Sequence, residues 1–564
     1  MATERDGKAP AGGIVLKGAA LLGGAALLSK LIGTLQKIPL QNFAGDEVFG
    51  LYSAVYALAV MWMTLAAAGV PTAVSVLVAE REAEGDETGA QRVVRWSLGL
   101  MTVSGLAAFA VLQAGAGLFA RGMGAPEAAA AIRASSIALL FSPAVAVLRG
   151  YRQGQMRMGL PAVSQIAEQT ARVAFMLIML AWAIGAGWRA PAAAAAVHGG
   201  LAAGAAAGLA VLLWPERKGG RIVRTRGTDD PKPARTWQWT EPRTALVKRI
   251  AGVALPVAAA SVAAPLFGLI DAFSIPRLLQ QAGGAAGTAA AMAEYGIYNR
   301  GIALLQLVLM AASGAAAALV PAMTAARASG VSAGLGGSVE RAAFPLRLAW
   351  WFGGAAAVGL AILAGPIDIA LFSDDAGSGA IALLAPAAVF GSLQAVSGGL
   401  LQGRGDLRSP AVNLAVAAVF KLALNMLLVP AYGIQGAAAG MTAAYAAAAL
   451  LNALSLRGRM KLPGFRPDSA WRPAAALAAM AAAVGLAELA LGALTRGLPV
   501  RAAALLTALP GVAVGAAVFA AGLVAARAVG PQEWREVPGC AAGSRIDQWL
   551  GRLRNAASKA TREG

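Results

Sequence analysis

The sequence predicts an all-α polytopic membrane protein with about fourteen transmembrane helices, arranged as two parallel-repeat six-helix lobes plus two C-terminal helices. Four observations predict this fold. The 564 residues are 58% hydrophobic and only 13% charged, whereas about a quarter of the residues in a soluble protein are charged. Apolar runs longer than about 18 residues, enough to cross a bilayer, recur along the chain. Basic residues collect in alternate loops, and several motifs occur twice.

Each helix is predicted where an apolar run lies between polar or Pro- and Gly-containing segments. The second and eighth runs are longer than one span requires. Gly69-Val70-Pro71 predicts a kink in the second run, because proline removes a helical hydrogen bond. The fourteen predicted helices cover residues 14–38, 48–79, 93–119, 128–148, 160–185, 191–214, 246–275, 295–325, 342–364, 378–400, 410–429, 433–455, 473–495 and 502–526.

The basic residues predict the orientation of the chain. Of 47 Lys and Arg residues, 36 lie at the termini or in loops after even-numbered helices, seven lie near loops after odd-numbered helices and four lie within spans. Cytoplasmic loops carry such an excess, so both termini are predicted to be cytoplasmic. The predicted domains are an N-lobe at 1–214, a cytoplasmic linker at 215–245, a C-lobe at 246–455, two further helices at 473–526 and a cytoplasmic tail at 527–564.

Three motifs occur twice in the same order, which indicates an internal duplication. Six helices per copy give both copies the same orientation, so the repeat is parallel rather than inverted. In the third motif we expect the shared glycines to form a tight turn and the shared proline to begin the next helix. The pairs are FGLY at 49–52 with YGIY at 295–298, IALLF at 137–141 with IALLA at 381–385, and GYRQGQMRMGLPAV at 150–163 with GLLQGRGDLRSPAV at 399–412.

Four predicted helices carry a cation into the membrane, where a charge is costly and usually marks a functional site. These cations are Lys30, Arg172, Arg300 and Lys421, and Lys37 follows Lys30 by seven residues on nearly the same helix face. Arg172 and Lys421 occupy equivalent positions, 249 residues apart, in the two copies. The excess of positive charge predicts an anionic substrate that carries phosphate or pyrophosphate.

Three of these cations also have a purely structural interpretation. Lys37 is near enough to the predicted outer end of its helix to extend to the membrane interface. Arg172 has Glu168 one turn earlier as a candidate ion-pair partner, and Lys421 has Asn425 one turn later as a candidate hydrogen-bond partner. The sequence leaves both interpretations open.

The composition excludes several other kinds of site. The chain has one histidine, His198, and one cysteine, Cys540, which excludes a His/Cys metal cluster and an intrachain disulfide. No cofactor is predicted, although Asp271 is a candidate for binding a coupling Na⁺ or H⁺, or for pairing with a basic residue. The net charge of +19 is assigned to cytoplasmic loops and anionic membrane lipids rather than to nucleic acid.

Long segments of the sequence resemble a known family. LLSKLIGTLQKIPLQNFAGDEVFGLYSAVYAL and LLQGRGDLRSPAVNLAVAAVFKLALNMLLVPAYGIQGAAAGM are similar to stage V sporulation protein B and related polysaccharide transporters. These belong to the multidrug/oligosaccharidyl-lipid/polysaccharide exporter superfamily, as do the MurJ lipid II flippases. The resemblance extends over about residues 14–525. It implies a monomeric flippase of the bacterial cytoplasmic membrane, which moves an undecaprenyl-pyrophosphate-linked cell-wall or polysaccharide precursor by alternating access.

The resemblance also implies roles for individual residues. Lys30, within SKLIG, and Arg300 match cavity arginines that are functionally important in lipid II flippases. The sequence departs from that pattern at Gln36, which matches a second arginine, and between Met61 and Ala68, where a third arginine has no counterpart. A less basic cavity is therefore expected. We expect the pyrophosphate to bind Lys30 and Arg300, assisted by the three other cations.

Two other function classes are weighed against this one. A cation-coupled multidrug exporter of the same superfamily is expected to have a cavity rich in carboxylates and aromatic residues, whereas helices one and eight carry cations. A membrane glycosyltransferase or polymerase requires a large outer loop or a cluster of catalytic acids. The predicted outer loops are short and contain no such cluster.

Overall fold

The computed structural model describes residues 11–67, 69–214, 242–262, 265–283, 287–328, 335–457 and 467–525. All regular structure in these ranges is helical, and none of it is a strand. The predicted all-α class is confirmed. The predicted tail and nearly all of the predicted linker at 215–245 lie outside the described ranges, so the domain boundaries stay a prediction.

The chain divides into two compact units, Met1–Ala44 with Leu51–Phe273, and Gly45–Gly50 with Ser274–Gly564. Two short 3₁₀ segments, Pro126–Ala128 and Ile137–Leu140, flank the fifth helix. The helices up to the linker and just after it are α1 (Ala11–Leu35), α2 (Lys37–Ala67), α3 (Val70–Glu84), α4 (Glu87–Gly122), α5 (Ala129–Ser136), α6 (Ser142–Gly154), α7 (Gly159–Gly185), α8 (Ala190–Leu213) and α9 (Arg243–Val262).

The boundary between the two units falls after Phe273, within the tenth helix. Residues 45–50 of α2 also belong to the second unit. The remaining helices are α10 (Leu266–Gln281), α11 (Thr288–Ala328), α12 (Leu335–Ile362), α13 (Ala364–Phe372), α14 (Ser378–Leu384), α15 (Ala387–Gly403), α16 (Arg408–Arg457), α17 (Pro467–Leu494) and α18 (Val500–Ala525).

Each unit has a buried apolar core of its own. In the first unit α3, α4, α6 and α9 pack through residues such as Val74, Val93 and Ile250. In the second unit the last two helices pack on α12, with Trp351, Met480, Phe519 and their neighbours at the contact. Helix packing within a membrane depends on close van der Waals contact rather than on the exclusion of water, and these cores supply such contact in each unit.

The helices confirm a multi-pass membrane protein. Within the described residues nine helical runs are long and apolar enough to cross a membrane, and the bent pair of α14 and α15 makes a tenth. Two of the nine, Leu21–Glu84 and Arg408–Arg457, cover two predicted spans each and contain breaks in helical geometry. The exact number of fourteen spans stays a prediction. The predicted kink in the second span is confirmed, because α2 ends at Ala67 and Gly69 adopts a φ of 77° before α3 begins.

The repeated sequence IALL lies at the same structural feature in both copies. In the first copy the 3₁₀ segment Ile137–Leu140 separates α5 from α6. In the second copy the motif ends α14, and the chain bends by 40° before α15. A helix broken after the motif is therefore common to both copies. The arrangement of the two copies relative to each other stays a prediction.

The expectation of a glycine turn in the third motif is wrong. Gly150 and Gly154 lie within the last turns of α6, where an added Cβ would meet the backbone of Pro71 and Ser75 in α3. The two glycines therefore allow two helices to pack closely. The turn itself comes afterwards, and the prediction for the proline holds, because Pro161 lies in the first turn of α7.

Within the second unit, Gly50 of the FGLY motif packs against the segment that contains Gly296 of the YGIY motif. A Cβ added to Gly50 would collide with the carbonyl of Met292, and one added to Gly296 would collide with the carbonyl of Asp46. Only glycine allows the backbones of these two segments to come so close. This crossing brings the carboxylate of Asp46 alongside α11, the helix that carries Arg300.

Candidate functional site

The predicted site residues lie in different surroundings. Lys30 is exposed on α1, whereas Lys37 at the start of α2 and Arg172 on α7 are buried in the first unit. Arg300 on α11 and Lys421 on α16 are completely buried in the second unit. The structure brings Lys37 and Arg172 together, and it places Arg300 in a separate cluster.

Three carboxylates surround Arg300. Asp46 accepts hydrogen bonds from Nε, at 2.9 Å, and from Nη2. Asp374 accepts from Nη1 at 2.6 Å and from Nη2 at 3.0 Å, and Asp368 accepts from Nη1 at 3.4 Å. A guanidinium group has five N–H donors, so these five bonds occupy all of them. The ring of Phe372 lies 5.5 Å from the guanidinium carbon.

A short loop after α13 positions two of these carboxylates. Ser373 ends α13 with a φ of 79°, which turns the chain so that Asp374 faces Arg300. The loop then returns to the helix, where Asp368 accepts the N–H of Gly377 at 2.7 Å and the hydroxyl of Ser378 at 3.3 Å. Both carboxylates are therefore fixed by the same nine-residue helix and its turn.

The cluster around Arg300 is acidic. One guanidinium faces three carboxylates, which leaves two net negative charges when all three are ionised. The hydrogen bonds from Arg300 hold the pKa of Asp374 below its usual range. Burial raises the pKa of Asp368 to about 6, although Arg300 and the N–H of Gly377 both favour its ionised form. The sequence predicted a positive site here and did not indicate these three partners.

The cluster around Arg172 is built from neutral partners instead. Nη2 of Arg172 donates to the hydroxyl of Tyr52 at 3.1 Å, and Nη1 donates to that of Tyr56 at 3.4 Å. The guanidinium carbon lies 4.8 Å from the centroid of the Tyr56 ring, which adds a cation–π contact. The two tyrosine rings are stacked, 5.6 Å apart. Gln36 donates to the hydroxyl of Tyr52 at 3.0 Å.

Two further groups adjoin this cluster. His198 on α8 donates from Nδ1 to the carbonyl of Ala194 at 2.8 Å, and its ring packs on Tyr52 at 4.9 Å. Lys37 is close enough to Arg172 for their charges to repel each other. The first unit therefore concentrates positive charge beside three aromatic rings.

The proposed pairing of Arg172 with Glu168 is wrong. Glu168 forms an ion pair with Arg149 instead, at 2.6 Å, and Arg149 also donates to the hydroxyl of Ser164. No described carboxylate lies within ion-pair distance of Arg172. Among the described residues, its partners are hydroxyl oxygens and an aromatic face, which do not neutralise its charge.

The remaining candidates lie on α10 and α16. Asn425 donates its amide to the hydroxyl of Ser274 at 2.9 Å, and Lys421 lies one turn earlier on the same buried face of α16. Asp271 is 2% exposed on α10. The role of Asp271 in ion coupling stays a prediction. No group of three or more His, Cys, Asp or Glu side chains in the described ranges is placed to hold a metal ion.

Comparison with known proteins settles the family. The family model described as "Polysaccharide biosynthesis protein" matches residues 15–326. The chain belongs to the polysaccharide biosynthesis protein family. The membrane protein YabM of Bacillus subtilis (strain 168), described as uncharacterized, is 31% identical over 507 residues, which is 90% of this chain and 91% of that protein. The lipid II flippase MurJ of the same organism is 25% identical over 461 residues, 78% of this chain and 82% of that protein.

Two solved structures align with this chain over most of its length. A lipid II flippase MurJ in an inward closed conformation aligns with a TM-score of 0.61 at 12% identity, covering 89% of this chain and 98% of the other. An inward-facing MATE family multidrug transporter of the MOP superfamily aligns with a TM-score of 0.61 at 15% identity, covering 76% of this chain and 94% of the other. The chain therefore shares the fold of these two transporters.

Sequence reasoning found the cations of this family member but missed the groups that surround them. Asp46, Asp368 and Asp374 lie in or next to predicted loops, where acidic residues are ordinary. Tyr52 is in the repeated FGLY motif, and Tyr56 follows one helical turn later. That spacing places both hydroxyls on one helix face, a signal that points to a polar cluster once Arg172 is known to face it.

Proposed function

We propose that this protein translocates an undecaprenyl-pyrophosphate-linked cell-wall or polysaccharide precursor across the bacterial cytoplasmic membrane by alternating access. The observation that carries the proposal is the buried guanidinium of Arg172, which has hydroxyl groups and an aromatic ring as partners but no described carboxylate. A buried cation without a counter-ion attracts an anion. A pyrophosphate supplies that charge and accepts several hydrogen bonds.

The head group binds five cations in this proposal. Lys37 and Arg172 contribute the pair of neighbouring charges in the first unit, and Lys30 is exposed seven residues before Lys37. Lys421 and Arg300 act in the second unit, where Arg300 can accept a phosphate only after one of its carboxylates leaves. Asp271 couples transport to Na⁺ or H⁺. The protein acts as a monomer with both termini in the cytoplasm.

The stacked rings of Tyr52 and Tyr56 serve the same site. Their hydroxyl groups hold the guanidinium of Arg172 in one orientation without neutralising it. A carboxylate in their place would form a charged pair and compete with the substrate. The tyrosines therefore position Arg172 while leaving its charge available to an anion.

A translocation assay tests the proposal. Purified protein is placed in liposomes with a fluorescent sugar linked to undecaprenyl pyrophosphate, and a membrane-impermeant quencher reports the fraction in each leaflet. We expect Arg172→Gln to lower the rate about 10- to 100-fold, as expected when one charge-assisted hydrogen-bond donor is lost. Arg133→Gln, which removes an exposed arginine of the same unit, serves as the control. Equal rates for the two variants contradict the assignment of Arg172.

A cation-coupled multidrug exporter is the second candidate function. The observation that favours it is the acidic cluster at Arg300, where three carboxylates face one cation. Efflux of an organic cation such as ethidium from the same liposomes, driven by a Na⁺ or proton gradient, tests it directly. Efflux together with no movement of the lipid-linked sugar favours the exporter over the flippase.

A further inference from the structure

Two carboxylates hold Arg300 by different edges of its guanidinium group. Asp46 binds the Nε–Nη2 edge, and Asp374 binds the Nη1–Nη2 edge. Each edge presents two parallel N–H donors, which also fit two oxygens of a phosphate group. A carboxylate on such an edge therefore occupies a place that a phosphate can take.

The three carboxylates differ in how easily they can leave Arg300. Asp368 is completely buried and is also held by Gly377 and Ser378, and Asp46 is 18% exposed beside the close crossing at Gly50. Asp374 is 50% exposed and lies in a turn. Its other described hydrogen-bond partner is the N–H of Ala376, two residues on in the same turn. Of the three, only Asp374 is exposed enough for its carboxylate to be hydrated after it leaves Arg300.

We propose that the Nη1–Nη2 edge of Arg300 is a phosphate subsite, at which Asp374 takes the place of the substrate phosphate when no substrate is bound. The proposal rests on the proposed function, since it assigns this subsite to the pyrophosphate of the lipid-linked precursor. Substrate binding is then an anion exchange. A phosphate replaces the carboxylate of Asp374, Arg300 keeps all five hydrogen bonds, and Asp374 becomes hydrated.

Anion exchange keeps the hydrogen bonds of Arg300 complete. Asp46 and Asp368 stay paired with the guanidinium throughout, but buried N–H donors left without an acceptor are costly. Asp374 supplies the acceptors on the Nη1–Nη2 edge before the substrate arrives and again after it leaves. In the predicted orientation Asp46 and Asp374 both follow odd-numbered helices and lie on the outer side of the membrane. Return of Asp374 to Arg300 therefore promotes release of the head group on that side.

The experiment measures binding of a pyrophosphate to full-length protein in nanodiscs. The probes are farnesyl pyrophosphate, which carries a short prenyl chain, and inorganic pyrophosphate, which carries none. Asp374→Asn removes the competing charge with almost no change in shape. Asp375→Asn changes the net charge equally at the next residue, which is exposed and forms no ion pair with a described residue. Thermal unfolding of each variant verifies that it is folded.

We expect Asp374→Asn to bind farnesyl pyrophosphate about fivefold more tightly than Asp375→Asn, the effect of removing one partly exposed ion-pair competitor. If Asp374→Asn also gains the same affinity for inorganic pyrophosphate, the subsite recognises the phosphates alone. If it gains affinity only for farnesyl pyrophosphate, the subsite recognises the head group of a lipid. Equal affinities of the two variants for both probes overturn the exchange. A lysine cannot bind a phosphate in a bidentate manner. In the Arg300→Lys background, proteins with aspartate and with asparagine at position 374 should therefore bind pyrophosphate with the same affinity.

Translocation of the sugar-linked lipid by the same proteins separates this proposal from the proposed function. Tighter pyrophosphate binding by Asp374→Asn, together with no translocation by the wild type, contradicts the flippase but retains the exchange. Normal wild-type translocation with identical affinities for the two variants contradicts the exchange but retains the flippase.

Discussion

Replacement of Arg300 by methionine tests how the buried charges of the second unit are balanced. Methionine fills much of the same space without charge, so the three carboxylates lose their common partner. Asp374 is 50% exposed and regains water at little cost. Asp368 is completely buried and cannot do so. We expect it to take up a proton, because a neutral carboxyl is far less costly to bury than an unpaired charge.

Replacing Arg300 lowers the free energy of unfolding, and the size of this loss follows from the pKa of Asp368, which is about 6 beside Arg300. A raised pKa means that the protonated carboxyl stabilises the folded state at low pH, and this contribution disappears as the pH rises through 6. Without Arg300 the group stays protonated at pH 8. At about 1.4 kcal/mol per pH unit, the two units above 6 set an upper limit of about 3 kcal/mol for the loss at Asp368. At pH 5.5 the group is already largely protonated, so this loss is close to zero.

The assay is an unfolding titration with SDS in mixed micelles at pH 5.5 and pH 8, followed by tryptophan fluorescence. Arg300→Met should lose more stability at pH 8 than at pH 5.5, and adding Asp368→Asn should remove most of the difference. Arg408→Met, which removes an exposed arginine of the same unit, serves as the control. A loss that is equal at both pH values, or larger at pH 5.5, refutes the assignment of the buried charge to Asp368.

Three further variants test other contacts. Tyr52→Phe removes an acceptor from the buried Arg172 and should destabilise the protein by about 1–3 kcal/mol in the same titration; wild-type stability would contradict this. Gly296→Ala should cost about 1–3 kcal/mol by overpacking the helix crossing, whereas Gly314→Ala in the same helix meets no neighbour and should cost nothing measurable. Arg501 donates to two carbonyls in the last turn of α13, so Arg501→Gln should speed amide exchange at residues 373–377, and unchanged exchange would rule out this support.

The sequence predicts the fold through features that act over short distances. Apolar runs and alternating basic loops locate the helices, because the bilayer imposes a length on each span and a bias on each loop. The motif IALL lies within the predicted continuous helices at 128–148 and 378–400, so the break that follows it in both copies is not predicted from the sequence. The sequence predicts a turn at the glycines of the third motif, because a lone sequence does not distinguish a glycine that bends the chain from one that admits a neighbouring helix.

The site was less predictable, because its partners are distant in sequence. Arg300 is 254 residues from Asp46 and 74 from Asp374, and no periodicity links them. Glu168 shows the opposite error. Its spacing of four residues from Arg172 suits an ion pair, yet in the folded chain Glu168 forms its ion pair with Arg149. Local spacing predicts which side chains share a helix face, but tertiary packing decides which of them meet.

The two buried arginines balance their charges in different ways, and the difference has a mechanistic consequence for the proposed cycle. Arg172 is held by tyrosine hydroxyls, which orient a guanidinium without neutralising it, so its attraction for an anion is retained at all times. All five donors of Arg300 are occupied by carboxylates, so an anion can bind it only when one of them leaves. In the proposed function, the first unit therefore offers an available charge, and the second unit offers one that an anion reaches by exchange. If the two charges act independently, Asp374→Asn should increase binding at Arg300 without changing the affinity that depends on Arg172, and combining it with Arg172→Gln should give additive changes in binding free energy.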